Sequence, residues 1–283
     1  MLVSMADILN KAQQGNYAVP APNVWNEDSV RTVLWAAEEK NSPIILDCSF
    51  SARSYGDKAA QVMYEQMMYT IPWSREAKVP VAINLDHGME YSHAITAIRA
   101  GFTSVMVDRS SYPFEENVKD VKAVVDVAHA VGVSVEAELG HVGEGDNYAV
   151  DGISHLTEPD EAKRYVELTK IDCLAVAIGT AHGAYVGTPK LHFDRLEAIR
   201  KQVKIPLVLH GGSGTGDDNL YKAARSGINK VNLYTDLVTE AMTQIKSKDI
   251  NNIDFDGLLK AGYAGFGDKL KHYMDLLGST DQA

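Results

Sequence analysis

The 283-residue chain predicts one (β/α)8 barrel. Three observations carry that prediction. Eight short β-rich runs alternate with amphipathic segments, and eight such alternations in about 250 residues are the pattern of this barrel. Several runs are almost continuously apolar, as expected of strands covered by helices outside and packed against one another inside. Gly101, Gly132 and Gly227 each close a helical pattern a few residues before a strand, which is the C′ position of a helix feeding a short loop. The rival, a doubly wound open sheet, needs a phosphate-binding glycine loop after its first strand. Here "PAPNVWN" follows that strand.

In order, the strands are expected at 17–23, 43–49, 79–87, 104–110, 134–140, 173–179, 206–212 and 230–236. The segment 28–40 places Val30, Val33, Leu34 and Ala37 on one helical face, and 115–131 does so with Val118, Val121, Val125 and Ala128. In 158–170, Thr157 is the expected N-cap and Pro159 falls in the first turn, where proline is tolerated. Leu196 and Ile199 mark the helix over 191–203. No linker, low-complexity tract or charge block divides the chain, so a single domain is expected over 1–283. From about residue 248, "DGLLKAGYAGFGDKLKHYMDLL" reads as a helical extension rather than a second domain.

Composition narrows the function classes. The residues are 45% hydrophobic and 23% charged, and the net charge is −11. That charge argues against a nucleic-acid or anionic-membrane partner. It leaves an anionic substrate open, because local donors or a metal override the global field. No run approaches the ~18 apolar residues of a membrane span. The opening "MLVSMADILNKAQQ" lacks the basic and small-residue features of a secretory leader, so a cytoplasmic location is expected. Cys48 and Cys173 lie in apolar runs and are expected as buried free thiols.

In such a barrel the site lies at the C-terminal ends of the strands. The third strand brings Asp86 and His87 together in "INLDHGM". Neighbours on a regular strand point to opposite faces, so both reach one site only if the strand ends there and the chain turns. His182 follows the sixth strand and His210 ends the seventh. Three imidazoles converging on one rim suit a catalytic zinc ion with an open position. Glu138, on the fifth strand, is a further ligand, a partner that orients one, or an interior carboxylate in an ion pair. His141 is the other histidine near the rim. Glycines at Gly183 and in "GGSG" (211–214) let a backbone approach an anion, with Ser213, Asn232 and Thr235 as side-chain donors. Asp86 is a base facing substrate beside the metal, or a carboxylate orienting His87. Metal, base and phosphate cradle together suit enolate chemistry on a phosphorylated ketone. A Schiff-base mechanism finds no lysine on the sixth strand, and Lys230, opening the eighth, is read as lying on the wrong face. A hydrolase with a His-x-His pair on the first strand is excluded by "YAVPAPN".

With "LDHG" (85–88), "VEAELG" (135–140), "AVAIGTAHG" (175–183), "PLVLHGGSG" (206–214) and "KVNLYT" (230–235) in that order, the chain resembles the class II, metal-dependent ketose-bisphosphate aldolases, nearest the fructose- and tagatose-bisphosphate group. The match spans most of the chain. The resemblance implies a (β/α)8 barrel with zinc on His87, His182 and His210, and Glu138 near the metal. It implies Asp86 as proton-transfer residue, and Gly183, Gly211 and Ser213 as the cradle for the phosphate of dihydroxyacetone phosphate. A monovalent cation, Na+ or K+, often lies near that phosphate in the family. Asn23, Ser49, Asn232 and Thr235 match positions facing the substrate. The implied reaction is reversible cleavage of a ketose 1,6-bisphosphate to dihydroxyacetone phosphate and glyceraldehyde 3-phosphate. An acid–base group takes the C4 hydroxyl proton as the C3–C4 bond breaks, and Asp86 returns a proton to the dihydroxyacetone half. A homodimer or homotetramer is implied, with the apolar "MYEQMMYTIPW" (63–73) a candidate subunit contact or helix core.

Two positions depart from the family pattern. Asn84 stands where a histidine is usual, and the mobile loop offers Asp146 where a glutamate is usual, with Glu144 two residues earlier. Arg53 and Arg109 follow the second and fourth strands and are either distal-group contacts or surface ion pairs. If they face the site, a relative's substrate comes into view: 6-sulfofructose 1-phosphate or a 5-dehydro-2-deoxy-phosphogluconate. The reading from a different class is a non-catalytic sugar-phosphate binding protein.

Overall fold

The computed structural model describes residues 1–50, 58–143, 156–183, 185, 187–249 and 251–283. Eight parallel strands run in the order β1-β8-β7-β6-β5-β4-β3-β2. They are β1 Val19–Pro22, β2 Ile44–Ser49, β3 Val81–Gly88, β4 Ser104–Val107, β5 Ser134–Leu139, β6 Cys173–Val176, β7 Leu207–Leu209 and β8 Ile228–Leu233. The ring closes between β1 and β2, where Asn23 bridges Asp47 and the Val24 N–H donates to the Asp47 carbonyl at 2.9 Å. This is the predicted barrel. The strands are shorter than the apolar runs, because the last residues of most runs leave the sheet to line the rim.

Helix α1, Met5–Gly15, precedes the first strand. The helices alternating with the strands are α2 Glu27–Glu39, α3 Ala59–Glu76, α4 Tyr91–Ala100, α5 Phe114–Ala130, α6 Pro159–Thr169, α7 Phe193–Gln202, α8 Asp217–Arg225 and α9 Thr235–Lys246. The extension is α10, Phe255–Leu277. Among the described residues no helix is long and apolar enough to cross a membrane. Local chemistry sets the boundaries. Asn26 and Ser29 form a reciprocal capping box on α2. Gly101, Gly132 and Gly227 take φ of 100°, 75° and 114°, as their predicted positions after helices require. The expected N-cap on α6 is corrected: Glu158 caps that helix, with Pro159 following it. The Thr157 hydroxyl instead donates to the Leu139 carbonyl and accepts from the Ala177 N–H, clasping the ends of β5 and β6. Cys48 and Cys173 are buried free thiols.

Two apolar clusters divide the packing. The larger lies between outward-facing strand residues and the helices. The smaller fills the barrel, where Met5, Ile8, Leu9 and Ala12 of α1 pack against Val19, Ala21, Ile45, Ala82, Cys173, Ala175 and Val208. Helix α1 covers the end at which the strands begin: Leu2 bridges Val81 and the Ala6 N–H donates to Ser134 Oγ. The opposite end is left for the site. Helix α10 returns to the seam, where the Ala18 N–H donates to the Leu277 carbonyl at 3.1 Å and Lys40 pairs with Asp275 at 2.6 Å.

Candidate active site

Asp86 and His87 reach one site without the strand ending. Leu85 pairs with Val105 and Gly88 with Val107, so β3 carries one extra residue between those pairs. This bulge places His87 at φ 51°, in the left-handed region. A bulge re-aims the side chains around it, so consecutive residues share a face. Gly88 completes the bend, since a Cβ there would lie 2.6 Å from the Met106 carbonyl of β4. The expected strand end is thus replaced by a bulge within a continuing strand.

The bulge brings His87 to the other two predicted histidines. His87 Nε2 lies 3.2 Å from His182 Nε2 and 3.0 Å from His210 Nδ1. The far nitrogens of two of them are engaged by carboxylates: His87 Nδ1 with Asp108 Oδ2 at 2.7 Å, and His210 Nε2 with Glu136 Oε1 at 2.8 Å. Those contacts fix the tautomers and turn lone pairs toward the centre. Inner ring nitrogens 3.0 Å apart repel unless a proton or a metal ion lies between them, so this donor set fits a bound cation. The electrostatics agree. Burial opposes charge on His87, but Asp86, Asp108 and Glu138 outweigh it and push its pKa up to about 10. Burial, with His87 and His210 nearby, pushes His182 down to about 3. The cluster therefore favours one positive charge at its centre.

Glu138 is fully buried; its Oε1 accepts the Val142 N–H, and its Oε2 has no hydrogen-bond partner among the described residues. Burial and Asp108 raise its pKa to about 8. His87, Asp108 and Glu138 form a second group whose ligand atoms lie within 4.8 Å of one another. Glu138 thus lies beside His87 and Asp108, close enough for the three to share a metal ion. Ser110 holds Asp108 through its N–H at 3.1 Å and its hydroxyl at 2.7 Å, and that hydroxyl also contacts His141 Nδ1 at 2.9 Å.

Asp86 is gripped by two amides. Asn23 Nδ2 donates to its Oδ2 at 2.9 Å and Asn232 Nδ2 to its Oδ1 at 3.2 Å. Burial would raise its pKa, but His87, His210, Lys230 and the Asn23 bond hold it at about 2. Ser49 pairs in register with Asp86 and is exposed. Asn84 donates to Asp47 Oδ1 at 2.8 Å, inside the barrel.

The residues expected to cradle an anion lie beyond three strand ends. Gly211 has φ 66°, and a Cβ there would lie 2.1 Å from the Ala181 carbonyl, so only glycine lets the loops after β6 and β7 touch. Ser213 Oγ accepts the N–H groups of Tyr234 and Asp236, which leaves its own hydrogen to donate. Thr235 opens α9 beside it, and Gly183 takes φ 86° after His182. Asp236 Oδ2 accepts the Gly214 N–H at 2.8 Å and the Tyr273 hydroxyl at 2.5 Å, bracing the glycine loop against α10.

Other positions fall elsewhere. Arg109 pairs with Asp120 at 2.8 Å and Glu116 at 3.7 Å, donates to the Met89 carbonyl and lies over Tyr112. It is the ion pair rather than a distal-group contact. Arg53, Glu144 and Asp146 lie outside the described residues. Lys230 corrects its sequence reading: it is fully buried inside the barrel, 2.9 Å from Glu136 Oε2 and 3.3 Å from Asp47 Oδ2. Burial opposes its charge, but Asp47, Glu136 and Asp86 raise its pKa. Burial lifts Asp47 to about 8 and would raise Glu136 too, but Lys230 and His210 hold Glu136 down. A lysine held cationic is a poor Schiff-base nucleophile, so the mechanistic exclusion stands on a different ground. Sequence reasoning gave no role to Asp108, Glu136 or Lys230. Alternation offered a signal, because Lys230 and Asn232 are two apart and share a face.

Known proteins bear out the pattern. The model of the family described as "Fructose-bisphosphate aldolase class-II" matches residues 3–282. The fructose-bisphosphate aldolase of Geobacillus stearothermophilus is 44% identical over 259 residues, covering 89% of this chain and 88% of that protein. The Thermus caldophilus fructose-bisphosphate aldolase is 40% identical, with both chains covered in full. Among solved structures, the YdjI aldolase from Escherichia coli K12 superposes with a TM-score of 0.88 at 33% identity over the whole of both chains. The chain belongs to the class II fructose-bisphosphate aldolase family, and is an aldolase, a lyase.

Proposed function

We propose that this chain reversibly cleaves a ketose 1,6-bisphosphate of the fructose or tagatose type to dihydroxyacetone phosphate and glyceraldehyde 3-phosphate. The observation that carries the proposal is the convergence of His87, His182 and His210 within 3.0–3.2 Å contacts beside a doubly gripped Asp86. His87, His182 and His210 hold a zinc ion, with Glu138 as a further ligand. When bound, zinc supplies Lewis acidity for the ketose carbonyl. Ser213, the Gly183 and Gly211 backbones and Thr235 take the phosphate of the dihydroxyacetone half, with Na+ or K+ nearby, and Asn23, Ser49 and Asn232 face the sugar.

Asp86 moves the proton. Two amide donors favour its ionised form, so at rest it is a base. We therefore assign it the C4 hydroxyl proton: as that proton leaves, the C4–O pair becomes a carbonyl, the C3–C4 bond breaks, and its electron pair stays with C3. Protonated Asp86 then donates to that carbon. This gives one residue the two transfers that the family resemblance divides between Asp86 and a loop group, Glu144 or Asp146. The family relationship and the lone pairs turned toward one another at the histidine centre weigh against a non-catalytic binding protein. With Arg109 committed to α5, the sulfosugar and deoxy-phosphogluconate substrates rest on Arg53 alone. A cytoplasmic homodimer or homotetramer is proposed with these, with the exposed Tyr64 and Met68 of α3 as the contact.

The test is release of dihydroxyacetone phosphate from fructose and tagatose 1,6-bisphosphates, 6-sulfofructose 1-phosphate and the deoxy-phosphogluconate, with zinc and after chelation. Release from a bisphosphate that stops with chelator and returns with zinc is expected. Zinc bound at about one per chain with no release from any substrate would refute the assignment.

A further inference from the structure

Lys230 is buried at the middle of the barrel and touches neither the three histidine nitrogens nor Asp86 directly. Its ammonium faces three oxygens: Asn232 Oδ1 at 2.7 Å, Glu136 Oε2 at 2.9 Å and Asp47 Oδ2 at 3.3 Å. Two of these partners lead to the site. Glu136 receives His210 Nε2 through its other oxygen, and Asn232 gives its amide nitrogen to Asp86.

An amide side chain presents an oxygen on one side and an NH2 on the other, and it can turn over. Beside Asp86 the two orientations differ in sign. With the nitrogen forward, Asn232 donates to the carboxylate; with the oxygen forward, it repels it. Lys230 has donors only, so it accepts no orientation except oxygen-back, nitrogen-forward. The same ammonium holds Glu136, whose far oxygen sets the ring of His210. One cation thus ties the residue that moves the proton to a residue of the histidine centre, without touching substrate.

We propose that Lys230 is a positioning residue that locks the Asn232 amide against Asp86 and, through Glu136, the imidazole of His210. The proposal rests on the reading of Asp86 as the proton-transfer group. Removing Lys230 alone would leave Glu136 buried and uncompensated, which endangers the fold. The comparison is therefore made in a Glu136→Gln background, which removes the buried carboxylate; its one amide oxygen serves either Lys230 or His210, so the variants compared within this background read the Asn232 arm of the lock. E136Q, E136Q/K230M and E136Q/K230Q are measured beside the wild type for zinc per chain, thermal midpoint, and kcat and KM for fructose 1,6-bisphosphate cleavage.

At equal zinc content, E136Q/K230M is expected to lose about 10- to 100-fold in kcat relative to E136Q, with KM within about threefold. K230Q lacks the charge as K230M does but keeps an N–H donor for Asn232, and is expected to recover part of that loss. Equal kcat in all three variants would overturn the proposal. So would equal losses in K230M and K230Q that track zinc content or unfolding, since that is a structural role. A wild type that binds zinc yet cleaves nothing would overturn the assignment of Asp86 itself, and is read independently of the variants.

Discussion

Asp108→Asn is the substitution whose consequence the geometry determines most completely. Asp108 gives Oδ2 to His87 Nδ1 at 2.7 Å, and Oδ1 to both the N–H and the hydroxyl of Ser110. A carboxylate satisfies both sides because both of its atoms accept. An amide has one acceptor, so asparagine fails on one side in either orientation. With nitrogen toward His87, the ring must move its proton to Nε2, the nitrogen that faces the other histidines. With nitrogen toward Ser110, three donors crowd together and the negative charge supporting His87 is gone. Removing the partner that orients a metal-bound histidine weakens the metal by about 10- to 100-fold, equivalent to about 1.4–2.7 kcal/mol. The assay is competition for zinc against a chelator of known affinity, with D108N and wild type side by side. Ser110→Ala, which keeps the carboxylate and one of its donors, is expected to lose less than D108N. Zinc affinity in D108N equal to wild type would refute the tautomer argument.

Other outcomes follow from the same geometry. Asp86→Asn is expected to lower kcat by about 10²- to 10⁴-fold while zinc content is kept, because the amide replaces the proton-transfer group but not a ligand; steady-state kinetics with metal analysis decides this. His87, raised to about 10, must lose a proton when a cation binds, so apparent zinc affinity rises by about tenfold per pH unit below that value, and calorimetry in buffers of different ionisation heat counts about one proton released. Gly211→Ala forces a side chain at φ 66° against the Ala181 carbonyl and is expected to cost at least about 2 kcal/mol in denaturant unfolding, with a raised KM for phosphorylated substrate.

Much of the architecture is legible from the chain because its signals are local and repeated. Apolar runs, helical faces and the glycines at 101, 132 and 227 each announce one element, and their alternation announces the barrel. The three histidines are legible because each stands at or beyond the C-terminal end of an apolar run, although the structure keeps His87 within β3 and puts His182 six residues past β6. The misreadings come from features that alternation alone cannot resolve. The bulge at His87 adds one residue to β3, and no local residue type marks it. Lys230 reads as lying on the wrong face although it stands two residues from Asn232 and shares its face, so alternation is a signal that this reading leaves unused. Thr157 has the residue type of a cap, but its hydroxyl is used in a tertiary clasp that depends on β5 and β6 lying side by side. Helix α1 carries an ordinary amphipathic pattern, and nothing in its sequence says that its apolar face seals a barrel.

The seam between β1 and β2 has a consequence for how the molecule holds itself shut. Among the described residues, seven of the eight strand junctions are ladders, but this one rests on the Asn23–Asp47 bridge and the Val24 N–H. The same two side chains reach inward, Asn23 to Asp86 and Asp47 to Lys230. Where the cylinder is most thinly stitched by backbone, side chains that reach Asp86 and Lys230 complete the stitching. Parting β1 from β2 at this seam would therefore also disturb the Asn23–Asp86 and Asp47–Lys230 contacts inside the barrel.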